Sequence, residues 1–123
     1  MLTSSCKAKG RTAQQEVCRK MLEAAPHLEP DDIRSTSMGC PGLDILISPR
    51  GRKTYDWASE VKYVESLNVV TVFWKHFEKY RTKMANALKL LIHRKNRTEL
   101  LVTLRFDDFL EIYKRTLDGK VQT

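Results

Sequence analysis

Apolar residues recur at helical spacing through Ala13, Val17, Met21 and Leu22 and stop near Ala25-Pro26, which predicts a first helix. Thr12 with Gln15 three residues later reads as its capping-box start. The ten residues before are polar and basic, so residues 1–10 are expected to form a flexible arm and 11–123 the domain proper. Glu29-Pro30-Asp31-Asp32 is a turn signal, Ile33 to Ser37 a short extended piece, and Met38-Gly39-Cys40-Pro41-Gly42 a loop. Leu43 to Ile47 then reads as a strand, Pro49-Arg50-Gly51-Arg52 as a hairpin turn, and Thr54 to Lys62 as the partner strand.

Val69 to about Lys83 predicts a second helix, with Phe73, Trp74, Phe77 and Tyr80 mostly on one face. Leu88 to Ile92 and Leu100 to Leu104 are two further strands joined by the basic turn His93-Arg94-Lys95-Asn96-Arg97. Asp107 and Asp108 open a last helix, where acids favour an N-terminus. The order is α-β-β-β-α-β-β-α, an α/β fold with a central mixed sheet flanked by helices.

At 123 residues and 41% hydrophobic the chain has room for one core and one domain. No stretch approaches the ~18 apolar residues of a membrane span, and no apolar signal segment opens the chain. Cys6, Cys18 and Cys40 form no Cys-x-x-Cys pair, and His27, His76 and His93 lie at no zinc spacing. Reduced thiols in a cytoplasmic setting are expected.

Charge changes the picture. The net charge is +7, and the segment from Lys75 to Arg97 holds eight basic residues against the single acid Glu78. A local surplus of that kind suits a polyanion, because each neutralised phosphate releases counterions. A solvated helix face on a basic protein would give the same count.

The sharpest chemical feature is Asp44 on one strand followed by Glu60-Val61-Lys62 on the next. Alternate side chains share a strand face, so Glu60 and Lys62 project together while Val61 points into the core. Two converging carboxylates make an oxygen-rich site suited to Mg²⁺, with the Val61 carbonyl as a further ligand. The metal would polarise a scissile phosphate, and Lys62 would offset charge developing in the transition state.

These residues resemble the PD-(D/E)XK nuclease superfamily, in particular its small Holliday-junction-resolvase-like and phage-type members. Lys9-Gly10-Arg11-Thr12-Ala13-Gln14-Gln15-Glu16 is similar to the family's lysine-glycine entry into the first helix, and Arg34-Ser35-Thr36-Ser37-Met38-Gly39 to the polar stretch before the metal-binding aspartate. Leu43 stands where the motif has proline. Gln14 falls where resolvases carry a helical glutamate, with Glu16 two residues on, and residues two apart on a helix do not share a face, so one of the two would complete the site.

The resemblance implies a restriction-endonuclease-like core and a Mg²⁺-dependent endonuclease, with Mn²⁺ able to substitute and no small-molecule cofactor. It would cut DNA, in particular branched DNA such as a four-way junction, as a homodimer away from membranes. Lys7, Lys9, Arg11, Arg34, Ser35, Ser37, Lys79, Arg94, Lys95 and Arg97 would contact DNA, and the apolar surface of Val69, Val70 and Phe73 is either a dimer contact or core. The rival readings are a sequence-specific or homing-type endonuclease and a non-catalytic nucleic-acid-binding protein.

Overall fold

The computed structural model describes residues 4–36 and 42–121. The elements are α1 (Ser4–Ala24), β1 (Ile33–Ser35), β2 (Ile45–Ile47), β3 (Trp57–Tyr63), α2 (Val69–Tyr80), β4 (Leu88–Arg94), β5 (Leu101–Thr103) and α3 (Phe106–Val121). This is the expected α/β order, with three helices and mixed strand directions.

The strands do not form one continuous sheet. β1 and β2 pair antiparallel, Ser35 opposite Ile45, while β3 runs parallel to β4 and β4 antiparallel to β5. The hairpin expected between the second and third strands is therefore replaced. Ile45 to Ile47 turns back on Ile33 to Ser35. The Pro49–Arg52 segment, expected as a turn, leads into a 3₁₀ turn over Gly51–Lys53. The chain packs closely at Gly51, where a Cβ would stand 2.8 Å from Ile47 Cγ2 and 2.9 Å from the Asp32 carbonyl oxygen. Only glycine lets the chain pass so near its neighbour and swing away from β2.

Asp32 fastens the same corner. One of its carboxylate oxygens accepts from the Glu29 N–H at 2.8 Å and the other from the Ser48 hydroxyl at 2.6 Å; Ser48 in turn accepts from the Gly51 N–H at 2.9 Å. These bonds hold the Asp32 carboxyl below its ordinary range, Ser48 contributing most.

Helix α1 starts at Ser4, so residues 4–10 of the expected arm are helical. Thr12 is interior rather than a cap, its hydroxyl donating to the Ala8 carbonyl at 2.8 Å. The buried positions Ala13, Val17, Met21 and Ala25 recur every four residues and lay one stripe of α1 on Ile33, Ile45, Val61, Leu90 and Ile92. α2 starts at Asn68, whose side chain accepts from the Thr71 N–H at 3.1 Å. It crosses over to β4, as a parallel pair requires. In β4, Lys89 to Ile92 are all buried, the pattern of a strand covered on both faces. The Lys89 ammonium donates to the carbonyls of Met84 and Ala85 at 2.6 and 3.2 Å, and burial lowers its pKa.

Two faces of β3 follow from the alternation. Trp57, Val61 and Tyr63 pack with α1 in the main core. Ala58, Glu60 and Lys62 lie on the opposite face, where Ala58 packs with Tyr80 of α2.

Candidate functional site

Asp44 sits just before β2, and its carboxylate takes the place of a missing ladder bond. Its Oδ2 accepts from the Val61 N–H of β3 at 2.8 Å. A side chain thus bridges the two sheets where the backbones do not pair. The arrangement also brings Asp44 beside the Glu60 face of β3.

Glu60 is engaged from two sides. Its Oε1 lies 3.4 Å from Lys62 Nζ and its Oε2 3.6 Å from His76 Nδ1. His76 is buried on α2, and its other ring nitrogen, Nε2, lies 2.6 Å from the Ala58 carbonyl oxygen. Because a carbonyl only accepts, Nε2 carries a proton, and Nδ1 is the nitrogen turned to Glu60. His76 is thus held on the β3 backbone with its Nδ1 beside the Glu60 carboxylate, beyond hydrogen-bond distance.

Around these groups is a pocket of about 140 Å³ lined by Asp44, Ser59, Glu60, Lys75, His76 and Lys79, with Gly42, Leu43 and Tyr80 completing the wall. Gly42 has a φ of 107°, a left-handed conformation suited to glycine, at the entry to Asp44. Burial raises the Asp44 pKa; the neighbouring Glu60 adds to this, while the Val61 N–H, Lys62 and His76 oppose it. Both acids, the lysine and the histidine thus share one electrostatic neighbourhood.

The donor chemistry at this pocket is two carboxylates and one imidazole. Among the described residues no group of three or more His, Cys, Asp or Glu side chains is arranged to hold a metal ion. Two carboxylates fit Mg²⁺, which keeps several of its own waters and is commonly held by one or two acids with substrate phosphate. Val61 contributes its N–H to Asp44.

The helix-one candidates lie elsewhere. Gln14 is buried on the α1 side of the sheet, its Oε1 finding no hydrogen-bond partner among the described residues, and Glu16 pairs with Arg94 of β4 at 3.0 Å. Neither lines the pocket. The physical reason is the face assignment: α1 covers Val61, whereas Glu60 and Lys62 point toward α2.

The expected DNA contacts divide similarly. Lys79 lines the pocket, as does Lys75 of the same basic segment. Lys7, Arg11, Arg34, Lys95 and Arg97 are exposed, Ser35 is half-buried, and Ser37 lies outside the described residues. Lys9 and Arg94 both stand over the Tyr63 ring, at 5.5 and 4.7 Å, and Arg94 is further held by Glu16. Of the aromatic stripe, Phe73 and Tyr80 are buried and Phe77 half-buried, leaving Trp74 exposed. Phe73 is thus core rather than dimer contact.

His76 was not legible as a site residue from spacing to other ligands. Its signal was subtler: a polar residue three after Phe73 and four before Tyr80, on the helix face that the apolar pattern turns inward.

Compared with family models, curated proteins and solved structures, the chain matches none. No helix among the described residues is long and apolar enough to cross a membrane.

Proposed function

We propose that the chain is a Mg²⁺-dependent endonuclease acting on DNA, with Asp44 and Glu60 as the metal-binding acids and Lys62 as the cation beside the reacting phosphate. The observation that carries this reading is the convergence of Asp44, Glu60 and His76 at one small pocket whose wall also holds Lys75 and Lys79, with Lys62 paired to Glu60 at its edge. The restriction-endonuclease-like core belongs to the same proposal, as does the resemblance to junction resolvases, and the setting would be cytoplasmic.

The roles follow from the contacts. Mg²⁺, when bound, supplies Lewis-acid polarisation of the phosphate and a more acidic water. Asp44 is anchored by the Val61 N–H, which fixes its direction at the cost of one acceptor position. Burial already penalises its anionic form, and a cation offsets that penalty. His76 is a positioning residue: tied to the Ala58 carbonyl, it stands beside the Glu60 carboxylate. Lys62 stabilises charge developing on the phosphate oxygens. Lys75 and Lys79 hold the flanking phosphates, which orients the strand without reading its sequence.

A second reading has its own observation. Both Glu60 oxygens already face cationic or imidazole partners, so a polyanion-binding module that keeps the pocket only as an internal ion-pair network uses the same contacts. Incubating the purified chain with a labelled four-way junction, a flap and a linear duplex of the same sequence, with and without Mg²⁺, separates the two. The expected outcome is Mg²⁺-dependent cleavage, strongest on the junction, abolished by Asp44→Ala with binding retained. Equal cleavage of a defined linear site would instead indicate a sequence-specific enzyme. Binding with intact strands under all conditions would establish the non-catalytic reading.

A further inference from the structure

β5 pairs with β4 only over Leu91 to His93, so among the described residues Leu88 to Leu90 have no strand on that edge. The gap opens into a groove of about 920 Å³ between the sheet edge and α3. Its lining on α3 runs from Arg105 to Arg115, a rise of about 15 Å along the helix. One wall is the buried Val17 and Met21 of α1 with Leu90 and Ile92 of β4; the facing wall is Phe109 and Ile112, both exposed to the groove. The size is that of a small-molecule site, and the walls are mostly aliphatic.

One polar group in this groove stands out. Lys89 is only 5% exposed. Its ammonium donates to the Met84 and Ala85 carbonyls, which uses two of its three protons and leaves one. The nearby acids of the lining are engaged elsewhere: Asp56 with Arg52 at 3.2 Å and Asp108 with Arg105 at 3.0 Å. Burial lowers the Lys89 pKa; Asp108 and Asp56 oppose this, Arg105 adds to it, and the balance stays against the charged form. A buried cation without an ion-pair partner is costly, and an anion offsets that cost.

We infer that the groove binds an aliphatic carboxylic acid, its carboxylate on Lys89 and Arg105 and its hydrocarbon tail along Phe109 and Ile112. Lys89 and Arg105 stand over the same Phe77 ring, at 5.8 and 5.2 Å, so the two cations share one end of the site. Arg105 spends Nε and Nη2 on Asp108, which leaves Nη1 as a donor. A carboxylate has two oxygens for these two donors. The whole lining holds five basic residues against three acids, which favours an anion over a neutral or cationic ligand. A nucleic acid would satisfy the cations but leave the aliphatic walls in water, whereas an alkyl chain covers them.

The inference does not depend on the nuclease reading, since no residue of this groove lines the Asp44 pocket. Calorimetric titration of the full chain with dodecanoate, below the concentration at which it forms micelles, tests it. Dodecanoate should bind as one molecule per chain and change the fluorescence of Trp57, which lines the groove. Dodecanol, with the tail but no charge, and acetate, with the charge but no tail, should each bind about tenfold more weakly or worse. Lys89→Met, which keeps the bulk of the side chain, should weaken dodecanoate by about tenfold and leave dodecanol unchanged. Ile112→Trp is the second arm, because it fills the groove from a half-exposed position without touching Lys89; it should block both dodecanoate and dodecanol while circular dichroism stays that of the folded chain. No binding of dodecanoate by the unaltered chain, equal binding of dodecanol, or undiminished dodecanoate binding by either variant would each overturn the proposal.

Discussion

The two ends of the sheet are built on opposite principles. At the β2–β3–α2 corner, polar groups are drawn inward and fixed: Asp44 on a backbone N–H, Glu60 between Lys62 and His76, and His76 on a backbone carbonyl. At the β5–α3 flank, apolar groups face outward and touch little. Each departs from the ordinary partition of a globular protein, in which polar groups meet water and apolar groups meet each other. The lesson is that each departure carries a cost for a lone chain. The buried polar corner costs desolvation, and the exposed apolar flank leaves area unburied.

The comparison breaks most readily in the packing beneath the corner. Leu91, fully buried and the register partner of Glu60, carries the polar face on an apolar foundation. Leu91→Ala should cost about 2–5 kcal/mol, read by urea denaturation, with a lower midpoint at unchanged slope. Lys62→Ala should fold normally but slow junction cleavage by roughly 10²–10³ in single-turnover experiments, with affinity for the junction little changed. An equal loss of affinity would move Lys62 from the chemistry to simple phosphate binding.

Next in size is a pH effect at the structural corner opposite the pocket. The Asp32 carboxyl is depressed by Ser48 and the Glu29 N–H, so its contribution to stability is complete above the ordinary carboxylate range and is lost as pH falls through the lowered folded value. Ser48→Ala should therefore lower the melting temperature at neutral pH and reduce the difference between neutral and strongly acidic conditions. An unaltered acid limb would remove that bond from the account.

The smallest effect is expected on the flank. Phe106→Ala should change folding stability by no more than about 0.5 kcal/mol, because the side chain is already mostly in water. A large loss there would mean that α3 is bound to its own body and that the contrast drawn here is false.

Much of this organisation can be read from local pattern. Helical spacing located α1 and α2, apolar runs located β4 and β5, and the alternation along Glu60-Val61-Lys62 correctly sent Val61 to the core and kept the two charged groups together. What escaped is long-range. Glu16 and Arg94 are 78 residues apart, and no local rule announces that they pair. The β2 strand pairs with β1 and not β3, and the close packing of Gly51 on Ile47 and the Asp32 carbonyl that accompanies this pairing is made only in three dimensions. For the same reason the choice between Gln14 and Glu16 had no local answer: which face of β3 the first helix covers is a property of the assembled core. His76 was hidden because a histidine at an inward helical position looks like any other core residue until its two nitrogens are seen to join Glu60 to Ala58.

The central claim is that Asp44, just before β2, and Glu60 of β3 form one divalent-cation site. Titrating the chain with Mn²⁺ and following the free-ion electron paramagnetic resonance signal tests it without any nucleic acid. The account predicts binding of one ion that Mg²⁺ displaces, and that Asp44→Asn and Glu60→Gln each weaken severely while Glu16→Gln does not. Binding unaffected by both pocket substitutions, or no binding by the unaltered chain, would contradict it.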